Sequence, residues 1–101
     1  MSVIVIGRFP MPDAARTRGA LAANAALLEE ITQEAKGLGC LHHRFLESDG
    51  ELVILDEWES VEDFQNFFGS NTKIPTIMQE AGAQGPPKVE VFSPVEAAGT
   101  L

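Results

Sequence analysis

The side chains best suited to chemistry sit in the middle of the chain. His42 and His43 are its only histidines, with Cys40 just ahead of them. Asp56, Glu57 and the single tryptophan, Trp58, follow on the far side of Ser48-Asp49-Gly50. An imidazole beside a carboxylate is the core of a general base, because the carboxylate fixes the tautomer and strengthens the ring's hold on a proton. Whether these groups meet depends on a hairpin. Asp-Gly is a type I′ turn signal. A two-residue turn pairs Ser48 with Glu51, which sets His43 opposite Asp56, His42 opposite Glu57, Phe45 opposite Ile54 and Leu41 opposite Trp58. Successive strand residues point to opposite faces. One side of the hairpin would then gather His43, Asp56 and Trp58 as candidate catalytic groups, with Phe45 and Ile54 as apolar walls. Two readings remain open: a tuned base, or cross-strand pairs that simply neutralise polar groups in a sheet. A register slip of one residue would dissolve the constellation.

Other chemistries find little support. Adjacent strand histidines point apart and do not share a metal. Cys40 and His42 are expected on one face, but two donors make no site, so no metal is expected. Arg8 reads as an arginine at a dimer edge rather than an anion contact, and Trp58 taken alone as pocket wall. Phosphate-cradling glycine loops, serine-nucleophile elbows and paired CxxC motifs are missing from the sequence.

Composition narrows the class. The chain has 101 residues and a formal net charge of −8, and its 7 Lys and Arg form no basic run. An acidic surface repels phosphate backbones, so nucleic acid is not an expected partner. One cysteine makes no internal disulfide and fits a reducing compartment. Val3-Ile4-Val5-Ile6 is too short for a signal core, and no run is long enough to span a membrane. A cytoplasmic protein is expected.

These residues need a scaffold, and the chain supplies one. Ser2 to Phe9 reads as a strand. Pro12-Asp13 opens a long helix to about Lys36, ended by Gly37 and Gly39, with Leu21, Ala25, Leu28, Thr32 and Ala35 as its inner stripe. Asn24, at the border of that stripe, is a plain helix-edge residue or a polar contact to a ligand. Leu38 to Glu47 and Glu51 to Glu59 read as strands two and three. Ser60 with Asp63 resembles a capping box, and Phe64, Phe67 and Phe68 share one face of the helix that follows. Gly69 is expected to break that helix, with a short piece from Asn71 or Thr72 through Ala81. Gly82 to Pro87 is a loop and Lys88 to Phe92 a fourth strand. Residues 1–95 make one domain, with 96–101 as a loose tail.

The order βαββαβ is the ferredoxin-like α+β fold, a four-stranded antiparallel sheet with helices on one face. Strands one and three are apolar on both sides. A bare apolar sheet face does not stay in water, so two sheets are expected to pack together in a homodimer.

Gly39-Cys40, the segment Leu55-Asp56-Glu57-Trp58-Glu59-Ser60 and the helix ending in Gly69-Ser70 resemble the antibiotic biosynthesis monooxygenase family, over nearly the whole chain in element order. The resemblance implies a dimeric α/β barrel. Some members oxidise phenolic or quinol-like aromatics with O₂ and no cofactor, some degrade haem, and many have no assigned activity. By position, Asp56 stands where the family usually has glutamate and Trp58 at its aromatic position. His43 stands where tyrosine is common, and Phe67 where a histidine is common. The asparagine, tryptophan and histidine of haem-degrading relatives would fall near Gly7, Phe67 and Ile77, so haem oxygenation is not expected. The resemblance thus implies a cofactor-free monooxygenase with His43 and Asp56 as base, Trp58 as wall or hydrogen-bond donor, and Phe64, Phe67 and Phe68 as the lid of a flat aromatic site. Phe67, in place of a titratable group, also favours a dimer that binds a small apolar ligand without turnover. A structural or regulatory dimer is the third reading.

Overall fold

The computed structural model describes residues 2–101. Its elements run β1 (Val3–Pro10), α1 (Ala14–Ala23), α2 (Ala25–Gly37), β2 (Cys40–Ser48), β3 (Glu51–Trp58), α3 (Val61–Ser70), α4 (Lys73–Glu80) and β4 (Lys88–Phe92). The strands pair antiparallel in the order β2-β3-β1-β4. This is the ferredoxin-like α+β fold, with each crossover made of two helices. Along β1, Val5, Gly7 and Phe9 are buried while Ile4, Ile6 and Arg8 are only half-buried. The inner residues join Leu52 and Trp58 of β3 in a core with Ala20, Ile31, Ala35, Phe64, Phe67, Ile77 and Met78. All four helices therefore cover one face. The other face carries Ile4, Ile6, Val53 and Leu55, flanked by exposed Leu46 and Phe92. Among the described residues no helix is long and apolar enough to cross a membrane.

The long helix expected from Pro12 is two helices. The break falls at Asn24 (φ −105°, ψ 22°). Its side-chain amide donates to the Ala20 carbonyl at 2.8 Å, which the Asn24 backbone N–H also reaches at 3.1 Å. Asparagine competes with the backbone for such bonds, and here it turns the chain. Beyond the break Ile31 and Ala35 face the core. Ala25 and Thr32, expected on the inner stripe, are exposed.

The hairpin register holds from Ser48↔Glu51 to His42↔Glu57. The turn is not type I′, however. Only Gly50 has a positive φ (71°), and Asp49 does not. Type I′ needs both central residues left-handed, a cost that a non-glycine avoids. A β-bulge then separates Cys40 from His42, and Cys40 pairs with Trp58. Leu41, expected opposite Trp58, is the extra residue and is 47% exposed. The bulge also turns Cys40 to the inner face, so Cys40 and His42 do not share a side.

Ser60 caps α3, its Oγ accepting from the Asp63 N–H at 3.1 Å. The Asp63 carboxylate lies against Gly39, where φ is +113° and a Cβ would fall 2.6 Å from Asp63 Oδ2. Gly69 does not break α3, which runs through it to Ser70. The stop is at Asn71, whose Oδ1 accepts from the N–H groups of Lys73 (2.9 Å) and Ile74 (3.0 Å) and so starts α4. Polar bonds link the helices to one another. Lys73 Nζ donates to Glu30 at 2.9 Å and Glu34 at 2.7 Å, and Thr17 Oγ1 donates to the Ala81 carbonyl at 2.8 Å. No regular element follows Phe92.

Candidate active site

The site is built by β2 and β3 on the helix side of the sheet. His43 and Asp56 are register partners. His43 Nδ1 lies 2.6 Å from Asp56 Oδ1, and Trp58 donates its Nε1–H to Asp56 Oδ2 at 3.1 Å. Trp58 reaches the carboxylate because residues two apart on a strand lie on one face. Trp58 is 1% exposed and Asp56 8%. A carboxylate this buried stands only when hydrogen-bonded, and here each oxygen accepts one bond. The ionised carboxylate places the His43 proton on Nδ1 and leaves Nε2 as an acceptor. Among the described residues Nε2 makes no side-chain hydrogen bond.

The outer pair behaves differently. His42 Nε2 lies 3.8 Å from Glu57 Oε1, with His42 81% exposed, and Glu57 instead accepts from Ser2 Oγ at 2.5 Å. The same register offset thus gives one ordered, buried pair and one loose pair in solvent.

Aromatic rings enclose the triad. Phe45 packs edge-on against His43, with ring centres 4.7 Å apart. Trp58 meets Phe64 at 5.9 Å and Phe67 at 5.4 Å, and Phe68 stacks on Phe64 at 5.5 Å. Between sheet and helices lies a cavity of about 70 Å³, almost wholly apolar. His43, Asp56, Trp58, Phe45, Ile54, Phe64, Phe67 and Phe68 all line it. Asn24 does not. Its amide is held at the helix break by Ala20 and by the Glu80 carboxylate, away from the cavity.

Several lining residues were not singled out from the sequence for the site. Ile31 and Ala35 come from α2, Ile77 and Met78 from α4, and Val5 from β1. The spacing of Ile31 with Ala35 was a usable signal, as i and i+4 share a helix face. Cys40 enters only through the bulge. Burial, reinforced by the Asp56 charge, pushes its thiol up to about 11, so it stays protonated and inert at neutral pH. Among the described residues, no three His, Cys, Asp or Glu side chains converge as a metal site.

No family model matches the chain, and no curated protein matches it. Solved structures do. Rv0793 from Mycobacterium tuberculosis is 28% identical, with a TM-score of 0.61, over 98% of this chain and all of that one. A monooxygenase from the ActVA-Orf6 gene of Streptomyces coelicolor, in complex with nanaomycin D, is 20% identical over 98% of this chain and 92% of its own, with a TM-score of 0.72. SnoaB, a cofactor-independent oxygenase from Streptomyces nogalater, is 16% identical over 98% of each chain, with a TM-score of 0.64. The chain has the fold of the antibiotic biosynthesis monooxygenases over nearly its full length.

Proposed function

We propose that this protein is a cofactor-independent monooxygenase that oxidises a small phenolic or quinol-like aromatic with O₂. The observation that carries the reading is the buried Asp56 carboxylate joined to both His43 Nδ1 and Trp58 Nε1 at the wall of an apolar cavity. The likeness to oxygenases that work on this scaffold supports it.

In the proposed reaction His43 Nε2 takes the phenol proton, and Asp56 stabilises the imidazolium. The phenolate gives an electron to O₂, and the radical pair combines as a C–O bond at the para carbon. The peroxide takes the proton back from His43. Loss of the para C–H proton and cleavage of the O–O bond then release water and leave a quinone. One oxygen atom ends in the product and the other in water. Apolar walls keep bulk water from the anion and its peroxide. Trp58 acts on substrate only through Asp56, as a positioning residue.

The protein works as a homodimer in this reading, joined through the sheet face that carries Ile4, Ile6, Val53 and Leu55. Arg8, Arg44, Glu57 and Glu90 lie on the same side around this apolar stripe, and an apolar patch rimmed by polar residues is the mark of an interface.

A second reading has its own observation. The cavity of about 70 Å³ is far below the ~300 Å³ of an ordinary ligand site, as in a structural or regulatory dimer whose phenylalanines fill the space between sheet and helices. Oxygen uptake with a panel of naphthols, quinols and anthrones separates the two. Uptake that falls by about 10²–10⁴-fold in His43→Ala supports the oxygenase. No uptake with any of them, or uptake that His43→Ala leaves unchanged, removes that role.

A further inference from the structure

Gly7 sits in the middle of β1 and lines the cavity. A glycine inside a strand weakens it, and usually marks a bulge, a left-handed kink, or the close approach of another chain segment or a ligand. The first three do not apply here. Pairing runs unbroken through Gly7, to Ile54 on one side and Val89 on the other. Its φ is not positive. Among the described residues, a Cβ built there would meet only Phe9 Cε1, at 3.8 Å, which is an ordinary contact. The missing side chain therefore leaves empty space above the sheet.

That space opens at one end. Val89 and Val91 pair with Gly7 and Val5, so they lie on the helix side of the sheet. They are nevertheless 40% and 44% exposed, because the helices leave the β4 edge uncovered. Val89 lines the cavity, which makes this edge a mouth. The titratable groups lie at the other end. Gly7 is two strands from His43, about 10 Å across the sheet. Around it Phe9, Ile54, Pro87 and Val89 are all apolar. The cavity of about 70 Å³ is smaller than the roughly 150 Å³ that encloses a benzene. A ring system held at His43 must then extend over Gly7 into the mouth. Its reacting end lies among buried Asp56, Trp58 and Phe67, and its far end plugs the opening.

We propose that Gly7 determines which substrates the site accepts: the apolar end of a ring system enters past β4 and lies on Gly7, with its hydroxyl toward His43. The fate of the hydroxyl rests on the oxygenase reading. The slot itself rests on Gly7 and the open edge of β4, and needs no turnover.

NMR of the whole protein with 2-naphthol tests the slot by binding alone. Bound 2-naphthol should give nuclear Overhauser contacts from the Gly7 Hα to the ring that lacks the hydroxyl. The Ile54 and Val89 signals should shift saturably, while Ile4 and Leu55 on the other sheet face should not. Gly7→Val should weaken 2-naphthol by about tenfold or more. It should leave phenol unchanged, since a single ring at His43 stops short of Gly7. Its urea midpoint should not fall, because a β-branched residue suits a strand. Gly7→Ala, whose Cβ makes only an ordinary contact, should show the same split in smaller measure. Failure of 2-naphthol to bind, or binding without contact to Gly7, overturns the slot whatever the variants do. Equal weakening of naphthol and phenol, or of neither, overturns Gly7 as the determinant. Contact with Gly7 but no oxygen uptake from any phenol keeps the slot and removes the oxygenase reading. Oxygen uptake from 2-naphthol that both variants leave unchanged keeps the oxygenase and removes the slot.

Discussion

His43 and Asp56 face each other at one register position of neighbouring strands, and their side chains meet at 2.6 Å beneath the helices. The adjacent pair, His42 and Glu57, has the same strand relationship but sits on the other face and stays 3.8 Å apart. Register brings a histidine and a carboxylate together twice. What separates the two cases is burial, which removes competing water and makes a charged, directional bond worth more.

Asp56→Asn tests that bond directly. The amide cannot accept at both positions, so one of the Trp58 and His43 donors loses its buried partner. Unfolding by urea should show a loss of about 1–3 kcal/mol. The nitrogen shifts of His43 should report a change of tautomer. Unchanged stability together with an unchanged tautomer would contradict the role given to Asp56.

Cys40 gives a pH dependence with a definite sign. Its thiol is raised from an ordinary 9.0 to about 11, first by burial and then by the Asp56 charge. Below pH 9 the folded and unfolded chains both keep the proton and stability is unaffected. Between about 9 and 11 the unfolded chain releases it and the folded chain does not, so stability falls as pH rises. Cys40→Ala should flatten that decline in denaturation curves taken across the window. Thiol alkylation at neutral pH should be slow in the native protein and fast in denaturant.

Gly39→Ala should destabilise by about 1 kcal/mol or more. The position is left-handed, and the new Cβ would meet the Asp63 carboxylate. Adding Asp63→Ala removes the carboxylate contact but leaves the Cβ of residue 63 at 3.1 Å and the backbone strain. A double-mutant cycle should therefore show coupling with incomplete rescue. Full additivity would mean that the two residues do not press on each other.

Leu55→Lys places a charge in the middle of the proposed dimer face. Sedimentation should show a dimer for the unaltered protein and a monomer for the variant. A dimer that survives the lysine would move the interface elsewhere.

The strands were legible as runs of β-branched and apolar residues bounded by proline, glycine and the Asp-Gly turn, and the cross-strand pairing of His43 with Asp56 followed from the turn length alone. Asn24 was harder. Its neighbours Ala22, Ala23, Ala25 and Ala26 favour an unbroken helix, and only the tertiary bond to Glu80 and the local bond to Ala20 show why the chain turns there. Gly69 misled in the opposite direction, since a helix tolerates one glycine while Asn71 supplies the real stop. The bulge had no signal, because an unpaired Leu41 looks like any apolar strand residue. The inner size of the site was also out of reach, since it depends on how Phe45, Phe67 and Phe68 settle against one another.

The bulge at Leu41 reverses the alternation of β2 at its start, so sulfur rather than a leucine borders the Asp56 carboxylate. A site proposed to pass through a peroxide thus has an oxidisable atom in its wall. Peroxides attack thiolate, not thiol. The charge that orders the imidazole also helps keep that proton on sulfur. One carboxylate then serves two ends: it readies the base and protects its own neighbour from the oxidant.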